Sequence, residues 1–223
     1  MTYILNIETA TKNCSVSISK EGKTIALNEL NDGKYSHAEK LHELIGQVVL
    51  EAKIALSHLN AIAVSKGPGS YTGLRIGVSA AKGLCFALDI PLISVNTLQS
   101  LALSVSIEKG YKIPLLDARR MEVYSQVFSE KNEKTREVYA EIIDANSFME
   151  FLNAEKVYFF GDGAEKCKKI ITHKNAIFID EKFPSAKEMS VISYEKYVKS
   201  EFEDIAYFEP FYLKEFLGAI PKK

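Results

Sequence analysis

The amino-acid sequence predicts an α/β protein whose fold occurs twice, in two lobes that each run β-β-β-α-β-α-β-α. Three features of the chain predict this. Each half opens with a near-continuous apolar run, at residues 3–8 and 113–116, as expected of a strand covered on both faces. Each run is followed by two stretches of alternating polarity joined by a short turn, which indicate a β-hairpin. Helix and strand patterns then alternate, which is typical of parallel strands joined by crossover helices.

The first half contains a hairpin, an amphipathic helix and a complete βαβ unit. Apolar residues at i, i+3, i+4 and i+7 predict the amphipathic helix, and Ser36 with Glu39 predicts a capping box at its start. The βαβ unit consists of a buried strand, a glycine-rich turn, a long helix and a second strand. The predicted strands are residues 3–8, 13–19, 24–28, 62–65 and the stretch after Pro91, and the predicted helices are residues 37–56, 71–88 and 96–106.

The second half repeats this order, which indicates a duplicated fold. Its predicted strands are residues 113–116, 121–128, 136–143, 157–160 and 176–179, and its predicted helices begin near Asn146 or span residues 164–171 and 187–200. An aromatic and apolar segment follows, with Pro210 at an expected helix start. We therefore divide the chain into a first lobe (1–108), a second lobe (109–200) and a segment that packs back onto a lobe (201–223).

Composition limits the class of protein. The 223 residues are 47% hydrophobic, enough for a substantial core, and the net charge of −1 lacks the basic signature of a protein that holds a polyanion unaided. Three widely spaced cysteines (Cys14, Cys85 and Cys167) form no metal or redox motif, so we expect reduced core thiols in a cytoplasmic protein. The start of the chain has no signal-peptide pattern, and no apolar run is long enough to span a membrane.

The glycine-rich turn of residues 67–69 is the first candidate site. Its two glycines allow a sharp bend and a close approach to a neighbour, Ser70 or Thr72 can cap the following helix, and the free helical N–H groups suit an anion. The spacing GxGxxxG matches neither the Walker A loop nor the dinucleotide fingerprint. The candidate nucleotide or anion contacts are Thr9, Thr11, Gly67, Gly69 and Ser70, although the segment ETATKN that holds the two threonines also reads as a simple turn.

The second candidate site is a strip of small residues on the predicted helix 71–88. Gly73 and Gly77 lie four residues apart and are followed by Ala80 and Ala81, so another backbone can come close. Two interpretations stay open: contact with a helix of the same chain, or contact with another subunit. His37 and His42 are five residues apart, which is not the spacing of a helical metal pair, and we expect packing or surface roles for both.

Several motifs together resemble a known family. They are ILNIETAT, SHAEKLHELI, GPGSYTGLRIGVSAAKGL, ISVNTLQSLA, LLDARRMEVYSQVF and EPFYLKE. The two-lobed layout resembles the actin, sugar kinase and heat-shock ATPase superfamily, and the motifs resemble its TsaB family, also called YeaZ. This resemblance implies a partner subunit of the transferase TsaD that works with the ATPase TsaE. Together these proteins transfer a threonylcarbamoyl group to the tRNA adenosine beside the anticodon.

The resemblance also implies that this chain is the non-catalytic member. Thr97 and Leu101 stand where the active relative carries its metal-binding histidines, and Glu8 stands near the place of the superfamily's metal-organising aspartate. We therefore expect no catalytic residue, no metal ligand and no cofactor required by this chain, and leave weak or interface-bound ATP or ADP open. The alternative function is a self-sufficient ATPase or kinase of the same fold.

The expected partners are a TsaD homologue in a heterodimer, the TsaE ATPase and tRNA through the complex, with a homodimer left open and no membrane. The predicted interface lies on the two long helices of the first half. Its residues are His37, Leu41, Ile45, Tyr71, Thr72, Gly73, Arg75, Ile76, Gly77 and Ala80. The motif DARRMEVY, with Asp117, Arg119, Arg120 and Glu122, either contacts a ligand between the lobes or forms a charged hairpin turn. The run KCKK near Lys166 either touches tRNA or is solvated helix charge, and we expect the second.

Overall fold

A computed structural model describes residues 1–33 and 36–214. The elements follow the predicted order, so the duplicated pattern is confirmed. The first half comprises β1 (Tyr3–Glu8), β2 (Cys14–Lys20), β3 (Lys23–Leu30), α1 (His37–Glu51), β4 (Ala61–Gly67), α2 (Tyr71–Leu88), β5 (Leu92–Asn96) and α3 (Thr97–Leu103). The second half comprises β6 (Tyr111–Asp117), β7 (Glu122–Ser129), β8 (Lys134–Ile142), α4 (Met149–Ala154), β9 (Val157–Phe160), α5 (Ala164–Cys167), β10 (Ala176–Ile179) and α6 (Ala186–Val198).

The two halves build two five-stranded sheets with the same topology. Their strand orders are β3-β2-β1-β4-β5 and β8-β7-β6-β9-β10. In each sheet the first three strands form an antiparallel meander, and the last two add in parallel through crossover helices. Apolar residues of α1 and α2 pack on one face of the first sheet and form the larger core.

Helix α6 covers the other face of the first sheet. Met189 and Ile192 of α6 pack against apolar residues of β1, β4 and β5. The serines of β2 are buried on this face, where Ser17 Oγ donates to the carbonyl of Ala186 (2.8 Å) and Ser15 Oγ accepts from its N–H (2.9 Å). A polar strand face can be buried only when its groups are hydrogen-bonded, and α6 supplies those partners. This placement differs from the predicted division, in which residues 187–200 belong to the second lobe.

The helix ends differ most from the sequence predictions. Helix α1 stops at Glu51 and not at residue 56, α3 and α5 are shorter than predicted, and α4 begins at Met149. The predicted capping box is wrong: the Ser36 side chain makes no cap hydrogen bond and donates to Asp32 instead, at 3.0 Å. Pro210 starts no helix within the described residues. Helix ends depend on local hydrogen bonds, which periodicity does not report.

The C-terminal segment packs back onto the first lobe over residues 201–213, and Lys214 forms an ion pair with Glu122 of β7. Glu203 pairs with Leu92 at the edge of β5, and Phe211 N donates to the carbonyl of Lys66 at 2.7 Å. The ammonium of Lys82 on α2 donates to the carbonyls of Ala206 (3.1 Å) and Phe208 (3.2 Å). The segment therefore runs from β5 across α2 to the glycine-rich turn. Residues 215–223 lie outside the described part.

The three cysteines are buried and unpaired, as predicted. Burial raises the pKa of the Cys14 and Cys85 thiols to about 12. Both therefore stay protonated at neutral pH and behave as small apolar groups. Among the helices in the described ranges, none is both long and apolar enough to span a membrane.

Candidate partner interface and glycine-rich turn

Helices α1 and α2 lie side by side and leave one apolar face uncovered. Leu50 at the end of α1 is 79% exposed and Phe86 on α2 is 83% exposed. Between the helices runs a shallow groove lined by Ala38, His42, Arg75, Ile76, Ser79, Ala80, Gly83 and Leu84. We call this face, with Leu50 and Phe86, the α1–α2 face. Exposed apolar patches of this kind mark protein contacts more often than isolated surface residues do.

The structure divides the predicted interface residues into two groups. Tyr71, Thr72, Arg75, Ile76 and Ala80 are at least partly exposed on α2. The other five (His37, Leu41, Ile45, Gly73 and Gly77) are buried inside the chain, so their assignment to a subunit interface is corrected. The apolar stripe of α1 faces its own sheet, as an amphipathic helix does. The His37 ring donates through Nε2 to the carbonyl of Thr11 at 2.7 Å.

Gly73 and Gly77 allow α2 to approach the link between β1 and β2. A Cβ added at Gly73 would overlap the carbonyl oxygen of Thr9, and a Cβ at Gly77 would overlap the hydroxyl of the same residue. Gly73 and Gly77 therefore face their own chain and not another subunit, but their closest contact is with the β1–β2 link and not with a helix as predicted. The outward glycines are Gly46 on α1 and Gly83 on α2, where an added Cβ would meet no atom within 4 Å.

The glycine-rich turn is also held against its own chain. Ser70 N donates to the carbonyl of Ala10 at 2.7 Å, and Ser70 Oγ accepts from Gly73 N at 3.3 Å, which confirms the predicted helix cap. A Cβ at Gly69 would overlap Ala10, and one at Gly67 would lie 2.8 Å from the carbonyl oxygen of Phe211. The predicted close approach is thus made to the β1–β2 link and the C-terminal segment. Anion binding at this turn stays a prediction.

Glu8 lies at the end of β1 beside this turn and is fully buried. Its Oε1 accepts from Ala10 N and from Ser65 Oγ, both at 2.7 Å, while Oε2 has no hydrogen-bond partner within the described ranges. Burial raises the pKa of this carboxyl from 4.5 to about 7, against the lowering effect of the two hydrogen bonds. A carboxylate that organises a metal is ionised, and burial opposes that form here.

Comparison with known proteins identifies the family. Residues 32–217 match the family model "TsaD: tRNA N6-adenosine threonylcarbamoyltransferase". The Buchnera aphidicola (subsp. Schizaphis graminum) tRNA threonylcarbamoyladenosine biosynthesis protein TsaB is 31% identical over 83% of this chain and 90% of its own length. The chain belongs to the TsaD-type family of this model and, within it, to TsaB (YeaZ). The Haemophilus influenzae TsaB protein is 28% identical over 95% of this chain and 93% of its own length.

Solved structures support the same assignment and the fold. A Pseudomonas aeruginosa protein described as similar to peptidase YeaZ superposes with a TM-score of 0.81 at 25% identity, covering 96% of this chain and 100% of its own. The activator of the 2-hydroxyisocaproyl-CoA dehydratase from Clostridium difficile has a TM-score of 0.50 at 9% identity over 91% of this chain and 98% of its own, which is a likeness of fold alone. This TsaB-family chain has the duplicated actin-like fold that the sequence predicts.

The positions compared with the transferase histidines lie inside this TsaB-family chain. Thr97 begins α3 and is fully buried, and Leu101 packs with Leu116 and Phe160 between α3 and the second sheet. Leu101 thus has an apolar packing role, whereas the buried Thr97 hydroxyl has no hydrogen-bond partner within the described residues. Within residues 1–33 and 36–214, His, Cys, Asp and Glu side chains form no group of three or more that could hold a metal ion.

The motif DARRMEVY forms the hairpin between β6 and β7. Asp117 lines a cleft of about 470 Å³ between the lobes, together with Lys12, Asp162 and Lys182. Arg119 and Arg120 lie at the exposed tip of the hairpin, outside this lining. The charged-turn interpretation therefore describes the arginines, and cleft contact remains open for Asp117 alone.

Sequence reasoning missed part of the α1–α2 face. Its members outside the predicted interface are Ala38, His42, Leu50, Ser79, Gly83, Leu84 and Phe86. One signal in the sequence could have identified Gly83, because Ile76, Ala80 and Gly83 recur at helical spacing on a second stripe of α2, beside the stripe that contains Gly73 and Gly77. Only the structure shows which stripe faces outward.

Proposed function

We propose that this chain is a non-catalytic subunit that pairs with a TsaD-type transferase and is required for threonylcarbamoyl transfer to the tRNA adenosine beside the anticodon. Membership of the TsaB family supports the pathway, because relatives carry names for tRNA threonylcarbamoyladenosine biosynthesis. The proposal includes a TsaE-type ATPase as a further partner and a cytoplasmic setting. It assigns this chain no cofactor of its own, and puts any ATP or ADP at the boundary between subunits.

The observation that carries the proposal is the uncovered α1–α2 face. Its groove is lined mostly by small and apolar side chains, and Leu50 on α1 and Phe86 on α2 are largely exposed. Gly46 and Gly83 leave room for the backbone of a partner helix to come close. Two helix pairs packed face to face bury on the order of 1,200–2,000 Å², which is enough for a stable complex.

The relatedness of the proposed partner favours pairing through the α1–α2 face. The family model that matches residues 32–217 is that of the transferase, so the transferase shares the segment that contains α1 and α2. Related chains that pair through equivalent surfaces form a pseudo-twofold contact, in which each face meets its counterpart. The α1–α2 face therefore suits a related partner and, in its absence, a second copy of this chain.

Three positions support the non-catalytic role. Glu8 is buried with a pKa near neutrality, Thr97 is buried at the start of α3, and Leu101 is part of an apolar cluster. A metal-dependent transfer needs accessible ligands at such positions. The burial of these side chains inside the chain agrees with catalysis on the partner subunit.

Reconstitution of the reaction tests the proposal. A TsaD-type transferase, a TsaE-type ATPase, a threonylcarbamoyl donor and unmodified tRNA are incubated with and without this chain, and modified adenosine is measured by mass spectrometry. We expect modification to require the chain, and the isolated chain to hydrolyse ATP no faster than buffer. Full modification without the chain would contradict the proposal. ATP turnover by the isolated chain at roughly 1 s⁻¹ or more would favour the self-sufficient ATPase or kinase.

A further inference from the structure

The tip of the β6–β7 hairpin carries two arginines that neither the fold nor the α1–α2 face uses. Arg119 and Arg120 are exposed, and neither guanidinium makes a hydrogen bond or ion pair with any described residue. Their φ angles are 71° and 50°, in the left-handed region that glycine and asparagine enter far more readily than arginine. Turn geometry alone would favour other residue types, so the two side chains need another explanation.

Lys166 on α5 holds this tip in place. Its ammonium donates to the carbonyls of Arg120 (3.0 Å) and Glu122 (2.6 Å) and forms an ion pair with Asp117. The Asp117 carboxylate also accepts from the N–H of Arg119 at 2.9 Å. The backbone of the tip is therefore fixed before any ligand arrives, which lowers the ordering cost of binding.

The charges around the tip leave it positive. Asp117 is paired with Lys166, and Glu122 is paired with Lys214 of the C-terminal segment. The carboxylates that flank the arginines are thus compensated, and the two guanidiniums remain as unpaired charges. A guanidinium is a planar fork of donors that matches two oxygens of a phosphate group. The tip therefore suits a phosphate-bearing anion.

The C-terminal segment connects the tip to an aromatic cluster. Tyr212 lies two residues before Lys214, and its hydroxyl accepts from Arg75 Nε at 3.1 Å. The Arg75 guanidinium lies 4.1 Å from the ring centre of Tyr71, and the rings of Tyr71 and Tyr212 are 5.0 Å apart. Arg75 also lines the groove of the α1–α2 face, so this cluster belongs to that face and not to the tip.

We propose that the Arg119–Arg120 tip is a contact site for the phosphate backbone of RNA. The choice of RNA rests on the proposed function, in which a tRNA is the substrate of the assembly. The small net charge of −1 is compatible with this site, since the positive charge is concentrated at one tip. Of the three lysines in KCKK, Lys166 and Lys168 are paired with Asp117 and Asp180, and Lys169 is exposed.

RNA binding by two matched variants tests the inference. R119G/R120G removes both guanidiniums but gives each position the residue type that best accepts a positive φ. K131A/K134A removes two exposed lysines from the β7–β8 hairpin of the same sheet and changes the net charge equally. Binding of a fluorescently labelled, unmodified tRNA transcript to the chain alone is measured by anisotropy between 50 and 200 mM KCl, a range set by the salt sensitivity of phosphate contacts.

We expect R119G/R120G to weaken tRNA binding about tenfold, and to reduce the slope of log K against log salt by roughly 1.4–1.8, the value for two phosphate contacts. Its melting temperature should equal or exceed that of the wild type, and K131A/K134A should bind like the wild type. Unchanged affinity and slope in R119G/R120G would overturn the inference, as would equal loss in both variants or competition by polyglutamate as strong as by unlabelled tRNA. The proposed function fails separately, if modification proceeds without the chain.

Discussion

Alanine in place of Gly73 is expected to lower the free energy of unfolding by about 1–3 kcal/mol, the usual range for overpacking a tight contact. The added Cβ would overlap the backbone carbonyl oxygen of Thr9, which cannot rotate away. Gly77→Ala should cost less, because its Cβ would meet the Thr9 hydroxyl, the end of a side chain that can turn. Urea denaturation of the purified variants measures both effects.

The same helix provides the control. An added Cβ at Gly83 would meet no atom within 4 Å. Gly83→Ala should therefore raise the free energy of unfolding by about 0.5–1 kcal/mol, because alanine loses less backbone entropy in a helix. Equal stabilisation by alanine at positions 73 and 83 would show that α2 does not press against the β1–β2 link, and would restore Gly73 to the outer surface.

The second large effect is a pH dependence caused by Glu8. Its pKa is raised from 4.5 to about 7 in the folded chain, so the folded state binds the proton more tightly than the unfolded state. The resulting stabilisation is fully present below pH 4.5 and is lost as pH rises through 7. The full loss corresponds to about 3 kcal/mol. Unfolding free energy should fall across this window.

Glu8→Gln should remove this part of the decline. Glutamine stays neutral and keeps an oxygen that can accept from Ala10 N and Ser65 Oγ, so the variant should match the wild type near pH 5 and exceed its stability near pH 8. Glu51→Gln, at an exposed position at the end of α1, controls for the chemical change itself. Parallel stability curves for Glu8→Gln and wild type from pH 5 to 8 would refute a neutral buried carboxyl.

The sequence was sufficient for the fold because each element carries its own periodicity. Strands β1, β9 and β10 and helix α2 have the predicted bounds, since an apolar run or a helical stripe is a local property of the chain. The packing of distant elements against each other could not be predicted in this way. In the sequence, the buried serines of β2 look like an ordinary polar strand face. Nothing near them in the sequence shows that α6 covers them, because Ala186 follows Ser15 by 171 residues.

The candidate site was predicted in part for the same reason. Helix α2 carries two stripes of small residues, one through Gly73 and Gly77 and one through Ala80 and Gly83. Periodicity identifies both as places of close approach but does not say which one faces the chain's own sheet. Likewise, the arginines of DARRMEVY are visible in the sequence, but their positive φ angles and the Lys166 contacts that fix them depend on the folded structure.

The central claim is that the α1–α2 face binds the partner. The affinity of a TsaD-type transferase for the Gly83→Arg variant of this chain tests it most directly. Arginine at this exposed helical position should leave the fold intact while introducing bulk and charge into the groove of the α1–α2 face. Val191→Arg, on the exposed side of α6 away from that face, is the matched control. By calorimetry, we expect Gly83→Arg to weaken pairing by about 100-fold or more and Val191→Arg to bind like the wild type. Wild-type affinity in Gly83→Arg would contradict the assignment of the α1–α2 face as the partner surface.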